Sequence, residues 1–149
     1  KTARTKAVVG FAAGRTFDLD GIAVTPGETR QDWSTIAFTA LEGGSLTSPS
    51  RGVIVTTGEH ANSGMIWNAA RTSVSNRWGS APALIEVISA AVRWNLPASR
   101  LKVWVMNEKG ERGEPVAVEP IDDGAALVQL GRNGVTLWYE FEIVPDGAN

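Results

Sequence analysis

The stretch VTLWYEFEIV, residues 135–144, alternates bulky apolar residues with polar or aromatic ones. Successive side chains of a β-strand point to opposite faces of the sheet, so this period of two predicts a strand with one buried face. The buried face is predicted to comprise Val135, Leu137, Tyr139, Phe141 and Ile143. Trp138 falls on the opposite, polar face with Thr136, Glu140 and Glu142. Its large indole side chain is therefore predicted to lie outside the core.

Short runs of the same kind recur along the chain, each bounded by Gly, Pro, Asn or Asp. Asp20-Gly21 and Asn133-Gly134 are dipeptides that favour tight hairpin turns. No segment keeps a helical period, and Pro82 and β-branched residues argue against a helix over residues 81–91. We therefore expect an all-β fold, a jelly-roll-like antiparallel β-sandwich of about nine or ten strands. The predicted strands are 6–11, 17–19, 22–24, 33–41, 52–57, one or two within 83–95, 101–106, 116–119, 126–130 and 135–144.

Length and composition narrow the class of protein. The 149 residues, 43% of them hydrophobic, suit one globular domain, and the chain begins at Lys1, so we expect a single module, residues 1–149, excised from a larger protein. There is no cysteine, which excludes disulfides and thiolate metal sites. The net charge is −2 without a basic cluster, which predicts no nucleic-acid partner. No apolar stretch approaches the roughly 18 residues of a membrane span, so no membrane partner is predicted.

The six tryptophans are the unusual feature of the composition. Strand alternation places Trp33 beside Thr35 and Thr39, Trp104 beside Lys102, and Trp138 beside Glu140, all on polar faces. Trp94 is in register with Ala90 and Val92 and is predicted to be core. An outward indole has three common explanations: a platform for a sugar ring, a contact with a neighbouring domain, or a site covered by a loop.

Residues 58–82 are polar, rich in Asn, Ser and Arg, and carry two tryptophans. This segment is predicted to be a long structured loop with one or two short strands. Arg stacking on indole and Asn side chains locking turns would make such a loop rigid. It is a second candidate ligand site, comprising Trp67, Asn68, Arg77 and Trp78, although a purely structural role as a plug at one end of the sandwich explains it as well.

Catalytic and metal chemistry find little support in the sequence. Asp18-Leu19-Asp20-Gly21 resembles the start of a calcium loop but lacks its later ligands, so a hairpin turn is the preferred interpretation and structural calcium the lesser one. Otherwise no cofactor is expected. Glu59 and His60 could serve acid–base chemistry, yet no second carboxylate, nucleophile or phosphate loop is paired with them. The chain is therefore predicted not to be an enzyme.

The run NSGMIWN, residues 62–68, and the residues RTSVSNRWGSAPALIE that follow at 71–86 resemble the C-terminal β-sandwich region of bacterial multimodular glycoside hydrolases. TARTKAVVGF at 2–11 and VTLWYEFEI at 135–143 fit the same region, so the resemblance covers nearly the whole chain. It implies a secreted bacterial protein, a polysaccharide context and a catalytic domain in the parent chain. Accessory sandwiches of this kind either bind carbohydrate or buttress the catalytic barrel.

The expected function is that of a non-catalytic carbohydrate-binding module for a polysaccharide such as β-glucan, mannan or xylan. Trp104 and Trp138 are the first predicted ligand-binding residues, followed by Trp33, with Glu140 and Lys102 as polar partners. The alternative is a structural β-sandwich domain that packs on a catalytic barrel and binds no soluble glycan.

Overall fold

The computed structural model describes residues 2–121, 124–132 and 134–147. Within these ranges the chain forms thirteen β-strands and a 3-10 turn, Ala98–Arg100, so the fold is all-β. The strands are β1 Thr5–Phe11, β2 Phe17–Asp18, β3 Ile22–Pro26, β4 Trp33–Gly43, β5 Ser50–Thr57, β6 His60–Ser63, β7 Ser80–Ile85, β8 Ala90–Trp94, β9 Leu101–Met106, β10 Arg112–Val116, β11 Val118–Ile121, β12 Ala125–Leu130 and β13 Trp138–Ile143.

The strands form three antiparallel sheets. The larger sheets have the orders β1-β4-β5-β13-β9-β10 and β11-β12-β8-β3-β2, and β6 pairs with β7 alone. Buried side chains from both larger sheets belong to one hydrophobic core. This arrangement is consistent with a β-sandwich. Among the described residues, no helix is long and apolar enough to cross a membrane.

Trp94 lies at the centre of the core, as the alternation in its strand predicts, and is completely buried. Its ring meets Phe38 edge-on at 5.4 Å between centroids and Phe141 at 5.8 Å. Both phenylalanines belong to the six-stranded sheet, so these contacts join the two sheets. The indole N–H donates a 3.1 Å hydrogen bond to the carbonyl oxygen of Leu46, which satisfies the polar atom that burial removes from water.

The expected number of strands was too low. β10, with the sequence RGEPV, was not predicted, because this segment is polar and lacks the alternation of apolar residues. β6, with the sequence HANS, lies in the segment 58–82, for which one or two short strands were predicted. Residues 80–94 form the two strands β7 and β8, with no helix in the interval, as expected.

The two dipeptides predicted to form hairpins have different outcomes. Asp20 and Gly21 have φ angles of 58° and 96° and join β2 to β3 in a tight hairpin, which confirms that prediction. The prediction for Asn133-Gly134 was wrong: β12 lies in the five-stranded sheet and β13 in the six-stranded sheet, so the connection crosses between sheets. Asn133 itself lies outside the described residues. Val135 is 89% exposed and precedes β13, so its predicted place in the core was also wrong.

Candidate functional site

Three tryptophans lie on the outer face of the six-stranded sheet, as their strand alternation predicts. Trp33 and Trp138 are 37% and 40% exposed, and Trp104 is half-buried. Thr57 on β5 is opposite Thr35 on β4, which stands two residues after Trp33. Trp138 on β13 is opposite Val55 on β5, which stands two residues before Thr57. The line from Trp33 through Thr57 to Trp138 therefore advances one strand and two residues at each step.

The same diagonal continues to Trp104. Trp104 is opposite Glu140, two residues beyond Trp138 on the neighbouring strand, so this step is again one strand and two residues in the same direction. Diagonal neighbours across paired strands are about 7–8 Å apart. Trp33, Trp138 and Trp104 are thus aligned over a distance of roughly 24 Å, with the widest interval between Trp33 and Trp138.

Trp104 is not a bare platform. The guanidinium of Arg112, from the edge strand β10, lies 3.9 Å from the centroid of its ring. This distance is that of a close cation–π stack. A sugar at this position would meet the guanidinium as well as the indole, which limits Trp104 as a stacking surface.

Glu140 is committed to an ion-pair network and is only 3% exposed, although alternation places it on the outer face. Arg51 and Arg112 both donate to its Oε1, Arg112 at 2.6 Å, and Arg112 also reaches Glu142 at 3.2 Å. The hydrogen bond from Arg112 is the largest cause that lowers the pKa of Glu140, which falls from 4.5 to about 2 despite burial. Lys102 is exposed opposite Glu142 at the edge of this network. Glu140 is therefore engaged by Arg51 and Arg112 and is not placed to bind a ligand.

Beside the other end of the diagonal is a cleft of about 230 Å³ lined by two indoles. Trp33 comes from β4 and Trp67 from the segment between β6 and β7. The polar side chains around the rings are Gln31, Glu59 and His60. The cleft thus combines flat apolar faces with hydrogen-bonding groups, which is the composition of a small-molecule site.

The electrostatics of the cleft centre on Glu59. Arg71 forms an ion pair with Glu59 and also lies 5.5 Å above the ring of Trp67. Burial by itself raises the pKa of Glu59, but hydrogen bonding from Gln31 and Arg71 and the nearby positive charges outweigh it, so the carboxyl pKa is lowered. At neutral pH Glu59 is ionised; its Oε1 accepts from Arg71 and its Oε2 is buried, so the carboxylate contributes negative charge to the wall of the cleft.

The segment that carries Trp67 forms an arm, defined here as residues 60–85, built on the β6–β7 pair. Asn68 locks its turn: Oδ1 accepts from the backbone N–H of Thr72 at 2.9 Å, and Nδ2 donates to the Thr72 hydroxyl at 3.0 Å. Glu86 fixes the base of the arm, because its carboxylate accepts from the backbone N–H groups of Arg30 at 2.7 Å and Glu59 at 3.3 Å. The arm is therefore held in a defined position against the end of the sheet.

The four loop residues predicted as one ligand site have different surroundings. Trp67 lines the cleft, whereas Asn68 uses its side chain inside the arm. Arg77 and Trp78 are exposed on the arm and do not line the cleft. Arg stacking on indole was expected here, and Arg71 makes that contact with Trp67.

The contribution of Gln31 had no sequence signal, because it stands in a polar segment without periodicity. Glu59 had a weak sequence signal. It stands two residues after Thr57, so the alternation of β5 would place it on the outer face, although the strand ends before it. In the parts of the chain that the structure describes, no group of three or more His, Asp or Glu side chains is placed to hold a metal ion. Asp18 accepts a 2.8 Å hydrogen bond from the backbone of Asp20 within the hairpin turn.

The chain was compared with known protein-family models, with curated proteins and with solved structures, and none of them matches it.

Proposed function

We propose that this chain is a non-catalytic carbohydrate-binding module with a jelly-roll-like sandwich fold, which attaches a secreted bacterial glycoside hydrolase to its polysaccharide. One observation carries the proposal: Trp33 and Trp67, far apart in sequence, line one cleft together with Gln31, Glu59 and His60. Indole faces stack on the C–H faces of pyranose rings, and the surrounding polar groups exchange hydrogen bonds with the hydroxyls.

The charge of the cleft favours neutral sugars. Glu59 is ionised and lines the cleft, so its negative charge disfavours carboxylate-bearing sugars relative to neutral ones. A β-glucan, mannan or xylan meets this requirement. Affinity for a single sugar should be modest, because a solvated sugar loses nearly as many hydrogen bonds to water as it gains from the protein.

Affinity electrophoresis on a panel of neutral and acidic polysaccharides tests the proposal. We expect retardation by at least one neutral polysaccharide and its loss in the Trp67→Ala variant. Trp78→Ala is the matched control, because Trp78 is a more exposed indole of the same arm that does not line the cleft. If no polysaccharide retards the wild-type chain, the proposal is refuted. If both variants lose retardation equally, the binding site lies outside the cleft.

A second candidate function, a structural domain that packs on a catalytic barrel, is favoured by the β1 side of the same sheet. Val9, Phe11 and Leu41 are 63%, 74% and 56% exposed there. Exposed apolar patches mark contacts with other protein surfaces. This function predicts no retardation on any glycan and self-association of the isolated chain that Phe11→Ser reduces, measured by sedimentation velocity. A monomeric wild-type chain would count against it.

A further inference from the structure

We infer that the cleft is one end of a single binding path that crosses the outer face of the six-stranded sheet, so that the ligand is an internal segment of a linear polysaccharide chain. This inference rests on the proposed function and adds the form of ligand that the site takes. Its central residue is Trp33, which lines the cleft with Trp67 and also begins the diagonal that leads to Trp138.

The length of the path points to a chain of several sugars. Two diagonal steps of about 7–8 Å separate Trp33 from Trp138, and Trp67 extends the path at the other end. Trp138 stands on β13, which has strands on both sides, so it lies on the open face of the sheet and not in a closed pocket. A flat position of this kind lets a chain pass over it, whereas recognition of a chain end needs a wall.

The surface between the indoles is suited to hydroxyl groups. The side chains of Thr35 and Thr57 face outward between Trp33 and Trp138 and are partly exposed, so each provides a donor and acceptor beside the path. At the far end Arg112 covers Trp104 and joins the Glu140 network. That network marks the end of the path, with Trp104 supporting Arg112 in place of stacking on a sugar.

The test is isothermal titration calorimetry with a series of oligosaccharides of increasing length, taken from the polysaccharide that retards the wild-type chain. We expect affinity to rise with length until the path is filled. Trp138→Ala should reduce the affinity for the longest oligosaccharide about tenfold and leave that for the shortest unchanged, since a single aromatic contact is removed. Trp67→Ala should weaken binding of every length. Trp138→Phe should restore part of the loss, because it keeps a ring.

Leu41→Ala is the control, because Leu41 is an exposed apolar residue on β4, the strand of Trp33, but lies eight residues from Trp33 and off the diagonal. It should leave every affinity unchanged. Equal affinity for short and long oligosaccharides, or wild-type affinity of Trp138→Ala for the longest one, overturns the path while the carbohydrate-binding function stands. Equal losses in Leu41→Ala and Trp138→Ala overturn it in favour of a broad apolar contact. Binding of none of the series overturns the path together with the proposed function.

Discussion

Replacing Glu140 with Gln should destabilise the protein at neutral pH and flatten its stability at acid pH. The carboxylate is 3% exposed and accepts from both Arg51 and Arg112. Its pKa of about 2, against 4.5 for an ordinary glutamate, corresponds to about 3 kcal/mol of folding free energy at pH 7. Because the two arginines are 49% and 39% exposed and screened by water, we expect a loss of about 2 kcal/mol.

The sign of the pH dependence follows from the lowered pKa. The stabilisation is fully present above the unfolded-state pKa near 4.5 and is lost as the pH falls towards the folded-state value of about 2. Urea unfolding of the wild type and of Glu140→Gln at pH 7, 5 and 3 measures both effects. The difference between the two proteins should shrink between pH 5 and pH 3.

Glu142→Gln is the control, because Glu142 is 35% exposed and its ion pair with Arg112 spans 3.2 Å. It should change the unfolding free energy by less than about 1 kcal/mol. A Glu140→Gln protein that is as stable as the wild type at pH 7, with the same acid dependence, would refute the reasoning about this network.

Three further changes test the core and the arm. Trp94→Phe should cost about 2 kcal/mol in urea unfolding, because it leaves a cavity and an unpaired Leu46 carbonyl; an unchanged midpoint would contradict the central place of this indole. Gly52→Ala should cost about 1–3 kcal/mol, since an added Cβ would lie 2.2 Å from the backbone carbonyl oxygen of Thr39 and 2.4 Å from the Phe141 ring, and a neutral result would show that both the neighbouring strand and the ring yield. Glu86→Ala should speed amide hydrogen exchange in residues 60–85 with little change in thermal midpoint, and unchanged exchange would mean that the arm does not depend on this carboxylate.

Strand alternation was enough to predict most of the sheet faces. It placed Trp94 in the core and Trp33, Trp104 and Trp138 on the outside, because the orientation of a side chain depends on a local period of two. Turn chemistry worked where both residues of the turn need positive φ, as at Asp20-Gly21.

The remaining features depend on contacts between distant residues. Glu140 is buried because Arg51, 89 residues away, and Arg112 cover it, which no local pattern indicates. The preference of Asn133-Gly134 for a hairpin was overridden because β12 and β13 find partners in different sheets.

The cleft could not be predicted from the sequence, because it too depends on contacts between distant residues. Trp33 and Trp67 had been assigned to two separate sites, one on a sheet face and one in a loop. They share one cleft because the arm is held against the end of the sheet through Glu59, Arg71 and Glu86. Strand alternation also could not predict that Arg112 covers Trp104, one of the two residues first predicted to bind a ligand.

The most direct test of the central claim is the affinity of Trp33→Ala for the longest soluble oligosaccharide, measured by calorimetry beside the wild type and Trp78→Ala. Trp33 is shared by the cleft and the sheet face, so its removal should abolish detectable binding, while Trp78→Ala binds as the wild type does. Wild-type affinity of Trp33→Ala would contradict the claim that sugars bind at this cleft.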